Sequence, residues 1–140
     1  MNALIRRYRD ADAAAVVTLW AEVLPDSAPH NDPAAALRKK LEVDRELLFV
    51  AEAQGRVVGT VMGGYDGHRG WIYSLAVARE DRGRGIGTAL VRRVESALAA
   101  LGCLKVNLQA RASNSGVIRF YERLGYQVEE RVSMGKRLYE

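Results

Sequence analysis

The sequence contains very little cysteine and histidine, which narrows the chemistry that it can support. Cys103 is the single cysteine in 140 residues, so an intramolecular disulfide is excluded and a thiolate metal cluster lacks its ligands. The two histidines, His30 and His68, have no zinc-type spacing to each other or to Cys103. We therefore predict no metal site, and we interpret Cys103 as a small buried hydrophobe rather than a nucleophile.

The sequence also lacks a long apolar run and a concentrated basic block. No stretch reaches the roughly 20 apolar residues that a membrane-spanning helix needs, and arginines precede any apolar run that would suit a secretory signal. The net charge of +4 comes from scattered residues, and the few aromatics are dispersed, unlike a nucleic-acid-stacking surface. These features predict a cytoplasmic protein without a membrane or nucleic-acid partner, and with a basic pocket for a small polyphosphate.

Apolar residues make up 49% of the chain, which suffices for the core of one compact domain. We place this domain at residues 1–140. Periodicity and turn residues predict strands over 3–8, 47–53, 57–64, 71–78, 105–110, 126–131 and 132–139. Helices are predicted from Asp10 or Asp12 to about Val23, from Pro33 to about Val43, from about Gly85 to Leu101, and from Ser113 or Asn114 to Leu124. This order implies a mixed sheet with helices on its faces.

The second of these helices has a clear start and a basic surface. Asp32 is predicted to cap it and Pro33 to be its first residue. The run Arg38-Lys39-Lys40 is interpreted as a solvated face.

A glycine-rich turn carries the clearest chemical signal. The segment from Trp71 to Thr88, WIYSLAVAREDRGRGIGT, predicts a strand that enters this turn and continues directly into a helix. Glycines let several backbone N–H groups converge, and a helix N-terminus adds unpaired donors and the positive end of the helix dipole. Because Arg82 and Arg84 add positive charge, the segment predicts a pyrophosphate site.

The spacing of the turn separates it from two common nucleotide-binding motifs. No lysine follows the last glycine, so the P-loop pattern fails. Gly83-x-Gly85-x-Gly87 also differs from the G-x-G-x-x-G of dinucleotide-binding folds.

The turn resembles the R/Q-x-x-G-x-G/A signature of the GNAT (GCN5-related) N-acetyltransferase family, in the run Arg82-Gly-Arg-Gly85-Ile-Gly87. Asn114 and the later run FYERLGY resemble the family's second coenzyme A element, and the phrases NDP and GGYDGHRG resemble its small bacterial YpeA-like branch. The resemblance covers nearly the whole chain in element order. It implies an α/β (α+β) fold with a mixed, mostly antiparallel sheet of about seven strands and about four helices.

The resemblance also implies an activity, the transfer of acetyl from acetyl-coenzyme A to a primary amine. This acyltransferase would act directly, in a ternary complex, on a small molecule, a protein N-terminus or a lysine. Leu75, Ala76 and Val77 would hold the pantetheine arm, and the N–H near Val77 would polarise the thioester carbonyl. The implied coenzyme contacts of the later segments are Arg82, Gly83, Arg84, Gly85, Ile86, Gly87 and Thr88 at the pyrophosphate, with Asn114 and Tyr121 on the arm. Tyr121 would protonate the departing thiolate.

The general base is not identified by the sequence. Trp71 and Gln109 occupy the positions where some relatives of the family carry acids, and neither can accept a proton. Glu22, Glu52, Asp66, His68 and a water chain remain, and we single out His68 or Asp66 because their loop borders the strand expected to line the site. The missing base leaves open an alternative, a non-catalytic coenzyme A-binding sensor or interaction domain. A homodimer is expected through the two closing strands, as among relatives of the family.

Overall fold

The structure, a computed structural model, describes residues 2–26 and 28–139. The chain divides into two compact units, one ending at Leu108 and the other beginning at Gln109. In the described residues, each helix is too short or too polar to cross a membrane.

In its described residues, the first unit contains a five-stranded sheet and three α-helices. Its elements are β1 (Leu4–Arg7), α1 (Ala13–Val23), α2 (Pro33–Val43), β2 (Leu48–Ala53), β3 (Arg56–Tyr65), β4 (Gly70–Val77), α3 (Ile86–Ala100) and β5 (Val106–Leu108). The strands lie in chain order across the sheet. Strands β1 to β4 are antiparallel and β5 is parallel to β4, with α3 supplying the crossover that a parallel pair needs. The predicted mixed, mostly antiparallel sheet is confirmed.

The two faces of the sheet are covered differently. On one face, α1 packs over Thr60 and Met62 of β3, within a core that also includes Trp20 and Val50. On the other face, α3 lies so close to β3 that a Cβ at Gly63 would be 2.5 Å from a methyl group of Val94. Glycine is therefore required there for close packing of helix on strand.

Of two predicted helix caps, one is confirmed and the other is wrong. Asp32 Oδ2 accepts a hydrogen bond from Ala35 N at 3.1 Å and Pro33 is the first residue of α2, so the predicted cap is confirmed. Asp12 makes no capping bond to α1. Instead, its buried carboxylate accepts two hydrogen bonds from the Arg6 guanidinium, at 2.8 and 2.9 Å. These hydrogen bonds hold the pKa of Asp12 below its usual range.

The solvated face predicted for α2 is wrong at one position. Arg38 and Lys39 are exposed, but Lys40 is buried. Its ammonium group donates a hydrogen bond to the Gly63 carbonyl and lies 3.7 Å from the Asp44 carboxylate. Met62 is the last residue of β3 that pairs with β2, and Gly63 follows it. The Lys40 ammonium group therefore donates to a carbonyl that has no partner on β2.

Lys40→Met is expected to lower the free energy of unfolding by about 1 to 2 kcal/mol, because it leaves a buried carbonyl without a donor. The same substitution at exposed Lys39 is expected to change it by less than about 0.5 kcal/mol. Urea denaturation of both variants measures the difference. Equal stabilities would show that Lys40 contributes nothing through the Gly63 carbonyl.

The described part of the second unit, residues 109–139, contains one helix, α4 (Ser115–Arg123), close to the predicted bounds. The two closing strands predicted over 126–131 and 132–139 are wrong for the described residues, because none of these residues pairs in a strand. Their alternating pattern is β-like, but Val132, Met134 and Leu138 are 88%, 88% and 93% exposed. A strand needs a neighbour for its hydrogen bonds, and this segment has none among the described residues. The sheet accordingly has five strands there rather than about seven.

Candidate active site

The glycine-rich turn has an open backbone surface. Gly83 and Gly85 have φ angles of +81° and +79°, in the left-handed region that L side chains rarely adopt. A Cβ at either position would meet nothing within 4 Å. The main chain of the turn is therefore accessible to a ligand from its outer side.

The turn leads into a helix N-terminus that lacks a capping side chain. Gly85 is the N-cap of the 15-residue helix α3 and makes no side-chain cap bond, and no acidic residue lies in the first turn. The first N–H groups of an α-helix have no partner within the helix, and they carry the positive end of its dipole. The N–H groups at Ile86, Gly87 and Thr88 are thus suited to an anion, and the residues present fit a pyrophosphate.

Charged side chains around the turn are organised by strand β4 and by one buried acid. Arg82 Nε donates to the Val77 carbonyl at 3.1 Å, which ties the turn to the end of β4. Arg84 Nη1 lies 3.6 Å from Asp81 Oδ1. Asp81 is only 5% exposed, and among the described residues its Oδ2 has no hydrogen-bond partner. Asp81 was not among the residues predicted from the sequence, because a charged run does not show which of its acids is buried.

Strand β4 presents an open edge before it reaches the turn. Strand β5 pairs only with Gly70 to Ile72, so no strand of this unit, as far as it is described, covers the outer edge from Tyr73 to Val77. Ala78 N–H donates to Val58 O on β3. Because main-chain groups alternate in direction along a strand, the N–H groups of Val77 and Leu75 point away from β3. Ala76, between them, pairs with Thr60 of β3.

In the second unit, Asn114 and Tyr121 belong to α4. Asn114 Oδ1 accepts a hydrogen bond from Val117 N at 3.2 Å and caps the helix. The cap uses the amide oxygen, so its Nδ2 group can donate to another acceptor. Tyr121 is 7% exposed, and its ring makes edge-to-face contacts with Phe120 and Tyr126 at centroid distances of 5.0 and 5.4 Å. Asn114 and Tyr121 are therefore each in contact with neighbouring groups of the second unit.

Burial raises the pKa of Tyr121 from 10.0 to about 12. Between those values the folded state keeps the phenolic proton and the unfolded state loses it, so the free energy of unfolding falls as the pH rises. The fall reaches up to about 3 kcal/mol for two pKa units. Urea denaturation at about pH 9 and about pH 11.5 should show a smaller fall for Tyr121→Phe than for the unchanged protein. An identical fall would show that Tyr121 does not titrate differently in the two states.

The acids and the histidine proposed as bases differ in their surroundings. Asp66 Oδ1 accepts hydrogen bonds from the His68 and Arg69 N–H groups, both at 2.8 Å, and these bonds hold the pKa of Asp66 below its usual range. Glu52 is paired with Arg6 at 2.8 Å. His68 and Glu22 are exposed. The described residues contain no group of three or more potential metal-binding side chains.

Comparison with known proteins gives one consistent family. The model of the acetyltransferase (GNAT) family matches residues 1–126. A protein of Pectobacterium atrosepticum, acetyltransferase ECA0875, is 48% identical over 136 residues, which cover 97% of this chain and 96% of that protein.

Solved structures agree with the fold. Ard1 of Thermoplasma volcanium superposes with a TM-score of 0.82 and 26% identity, covering 92% of this chain and 85% of that one. AAC(6′)-Iy, solved with the bisubstrate analogue CoA-S-monomethyl-acetylneamine, gives a TM-score of 0.81. The superposition covers 98% of this chain and 99% of the AAC(6′)-Iy chain. At 20% identity, this likeness concerns the fold alone. On the family match and the relative from Pectobacterium, the chain belongs to the acetyltransferase (GNAT) family.

Proposed function

We propose that the protein transfers an acetyl group from acetyl-coenzyme A directly to a primary amine of a small molecule, a protein N-terminus or a lysine. The observation that carries the proposal is the continuity of three features in one segment. The open edge of β4, the two left-handed glycines and the uncapped N-terminus of α3 follow one another over residues 73–88. Such a segment can bind an extended arm and a pyrophosphate in succession.

At the pyrophosphate end, the main chain is proposed to do most of the binding. The N–H groups from Gly83 to Thr88 would donate to phosphate oxygens, and the space beside the Cβ positions of Gly83 and Gly85 is open. Arg84 adds charge from the rim while its pairing with Asp81 limits its motion. Arg82 is proposed to contribute mainly by fixing the turn against Val77.

At the reacting end, acetyl-coenzyme A supplies an acetyl thioester when it is bound. The outward N–H group of Val77 is proposed to stabilise the negative charge that develops on the thioester oxygen. Leu75 presents its N–H on the same edge and is proposed to hold the pantetheine arm. Cys103 has no role as an acetyl carrier in this scheme, and its thiol donates to the Lys105 carbonyl at 3.2 Å.

Asn114 and Tyr121 are proposed to serve the coenzyme through their side chains. Asn114 would donate from Nδ2 to the arm, since its oxygen is used by the helix cap. The Tyr121 phenol would donate a hydrogen bond and finally a proton to the departing thiolate. Because burial raises the pKa of this phenol to about 12, the phenol keeps its proton, and can donate it, at neutral and mildly alkaline pH.

Of the two bases proposed in the loop after β3, the surroundings favour His68. A carboxylate that already accepts two backbone hydrogen bonds is a weaker base than an isolated one, which weakens the case for Asp66. The side chain of His68 is exposed and is free to pass the amine proton to solvent. The activity of His68→Gln, which lacks the imidazole, compared with that of the unchanged protein tests this assignment directly.

A non-catalytic coenzyme A sensor is the second proposal, since Asp66 and Glu52 are both engaged elsewhere. Thiol release from acetyl-coenzyme A, followed with a panel of diamines, amino-terminal peptides and lysine peptides, separates the two. Amine-dependent release identifies the enzyme and the acceptor class. Coenzyme binding without release for any amine would favour the sensor.

Further properties remain proposals of ours. Residues 1–140 are proposed to work as one acetyltransferase domain in the bacterial cytoplasm, of the YpeA-like branch and without a nucleic-acid partner. A homodimer is proposed because a second copy would cover the exposed apolar side chains of the last segment, among them Val132 and Met134. Light scattering of the purified protein gives the mass of the assembly.

A further inference from the structure

Strand β4 contains a bulge that the proposed activity does not explain. Tyr73 pairs with Met62 and Ala76 pairs with Thr60. Two residues of β4, Ser74 and Leu75, therefore face the single residue Val61 of β3. Ser74 has a φ of +51°, a conformation that serine rarely adopts and that persists only where the surroundings hold it.

The bulge is held by a buried chain of hydrogen bonds from α1. Thr60 is completely buried, and its hydroxyl group donates to the Ser74 carbonyl at 3.0 Å. The same hydroxyl oxygen accepts the indole N–H of Trp20 at 2.8 Å, and Trp20 is 3% exposed. Because a bulge disrupts the strand ladder, the Thr60 hydroxyl replaces a bond that the ladder cannot make.

The bulge decides which main-chain groups of β4 face the open edge. Before it, Gly70 N–H points outward and donates to Lys105 O, so unbroken alternation would direct the even-numbered residues outward. After it, Ala78 N–H points inward to Val58 O, and the outward Val77 carbonyl accepts from Arg82. One extra residue has switched the outward direction from even-numbered to odd-numbered residues.

We propose that Thr60 and Trp20 are positioning residues that fix this switch and thereby direct the N–H groups of Leu75 and Val77 toward the coenzyme arm. The inference rests on the proposed function, because it assigns a role to the acyl-carrying arm of acetyl-coenzyme A. It concerns that arm alone, since the pyrophosphate contacts the turn beyond β4. The two halves of the coenzyme should therefore respond differently to loss of the hydroxyl.

The test compares Thr60→Val, which removes only the hydrogen-bonding group, with Thr60→Ser, which retains it. Calorimetry measures binding of acetyl-coenzyme A and of 3′-phospho-ADP, the nucleotide half without the arm. Thr60→Val should bind acetyl-coenzyme A about tenfold more weakly, the effect of roughly one hydrogen bond. It should bind 3′-phospho-ADP as the unchanged protein does, and Thr60→Ser should restore acetyl-coenzyme A binding. Trp20→Phe, which frees the Thr60 hydroxyl, should weaken acetyl-coenzyme A selectively as well.

Four results would overturn the inference. Thr60→Val could bind acetyl-coenzyme A as tightly as the unchanged protein, or both ligands could weaken equally, which would indicate general damage to the fold. If Thr60→Val does not fold, unchanged binding by Trp20→Phe is decisive in the same way. An unchanged protein that binds neither ligand overturns the proposed function, and this inference with it.

Discussion

Gly85→Glu is expected to weaken acetyl-coenzyme A binding by at least about 100-fold, roughly 3 kcal/mol. The new carboxylate would start from the N-cap of α3, where a Cβ points into open space. It would occupy the position proposed for the pyrophosphate and would repel phosphate oxygens that the N–H groups otherwise bind. Isothermal titration with acetyl-coenzyme A measures the loss.

Gly55→Glu is a matched control for this substitution. Gly55 also has a positive φ, +74°, is exposed, and has nothing within 4 Å of its Cβ position, but it lies in the turn between β2 and β3. Both variants add the same charge and a similar backbone strain of about 1 kcal/mol. If the two variants bind acetyl-coenzyme A equally well, the glycine-rich turn has only a structural role.

Tyr121→Phe is expected to lower kcat by about 100-fold to 1,000-fold, which lies within the range for loss of a positioned proton donor. The KM values should change by less than about threefold, because the phenol acts on charge that develops during the reaction. Initial rates of thiol release, at saturating amine and acetyl-coenzyme A, measure the effect. Since burial keeps the pKa of Tyr121 near 12, ionisation of this residue should not lower kcat as the pH rises from about 7 to 10.

Tyr126→Phe removes a phenol from the same group of rings, in which Tyr126 contacts Tyr121 edge to face. This variant should retain kcat within about threefold. Comparable losses in both variants would mean that the ring group stabilises α4 and that Tyr121 is not the proton donor.

Local sequence signals predicted the elements that carry the proposed pyrophosphate site. Two glycines at the start of an amphipathic helix indicate a left-handed turn because other residues avoid positive φ, and Gly83 and Gly85 adopt it. Asp32 and Pro33 likewise define the start of α2 through interactions within one helical turn. In each case, the determining contacts are separated by only a few residues.

Features that depend on distant contacts were missed or misjudged. The burial of Lys40 follows from the Gly63 carbonyl, 23 residues away, and a basic run does not reveal such a partner. The hydrogen bonds among Trp20, Thr60 and Ser74 span separations of 40 and 14 residues. The two closing strands were predicted from a β-like pattern, which does not indicate whether a neighbouring strand is available. Contacts between residues far apart in the sequence, rather than local propensity, determined the structure in these cases.

The most direct measurement is a calorimetric titration of acetyl-coenzyme A into the purified protein, with NADH as the comparison nucleotide. Both ligands carry a pyrophosphate, but only acetyl-coenzyme A carries an arm that can lie along the open edge of β4. We predict saturable binding of acetyl-coenzyme A in the micromolar range, about −8 kcal/mol, and no measurable binding of NADH. Absence of acetyl-coenzyme A binding by folded protein, or equal binding of NADH, would contradict the assignment of residues 73–88 to this coenzyme.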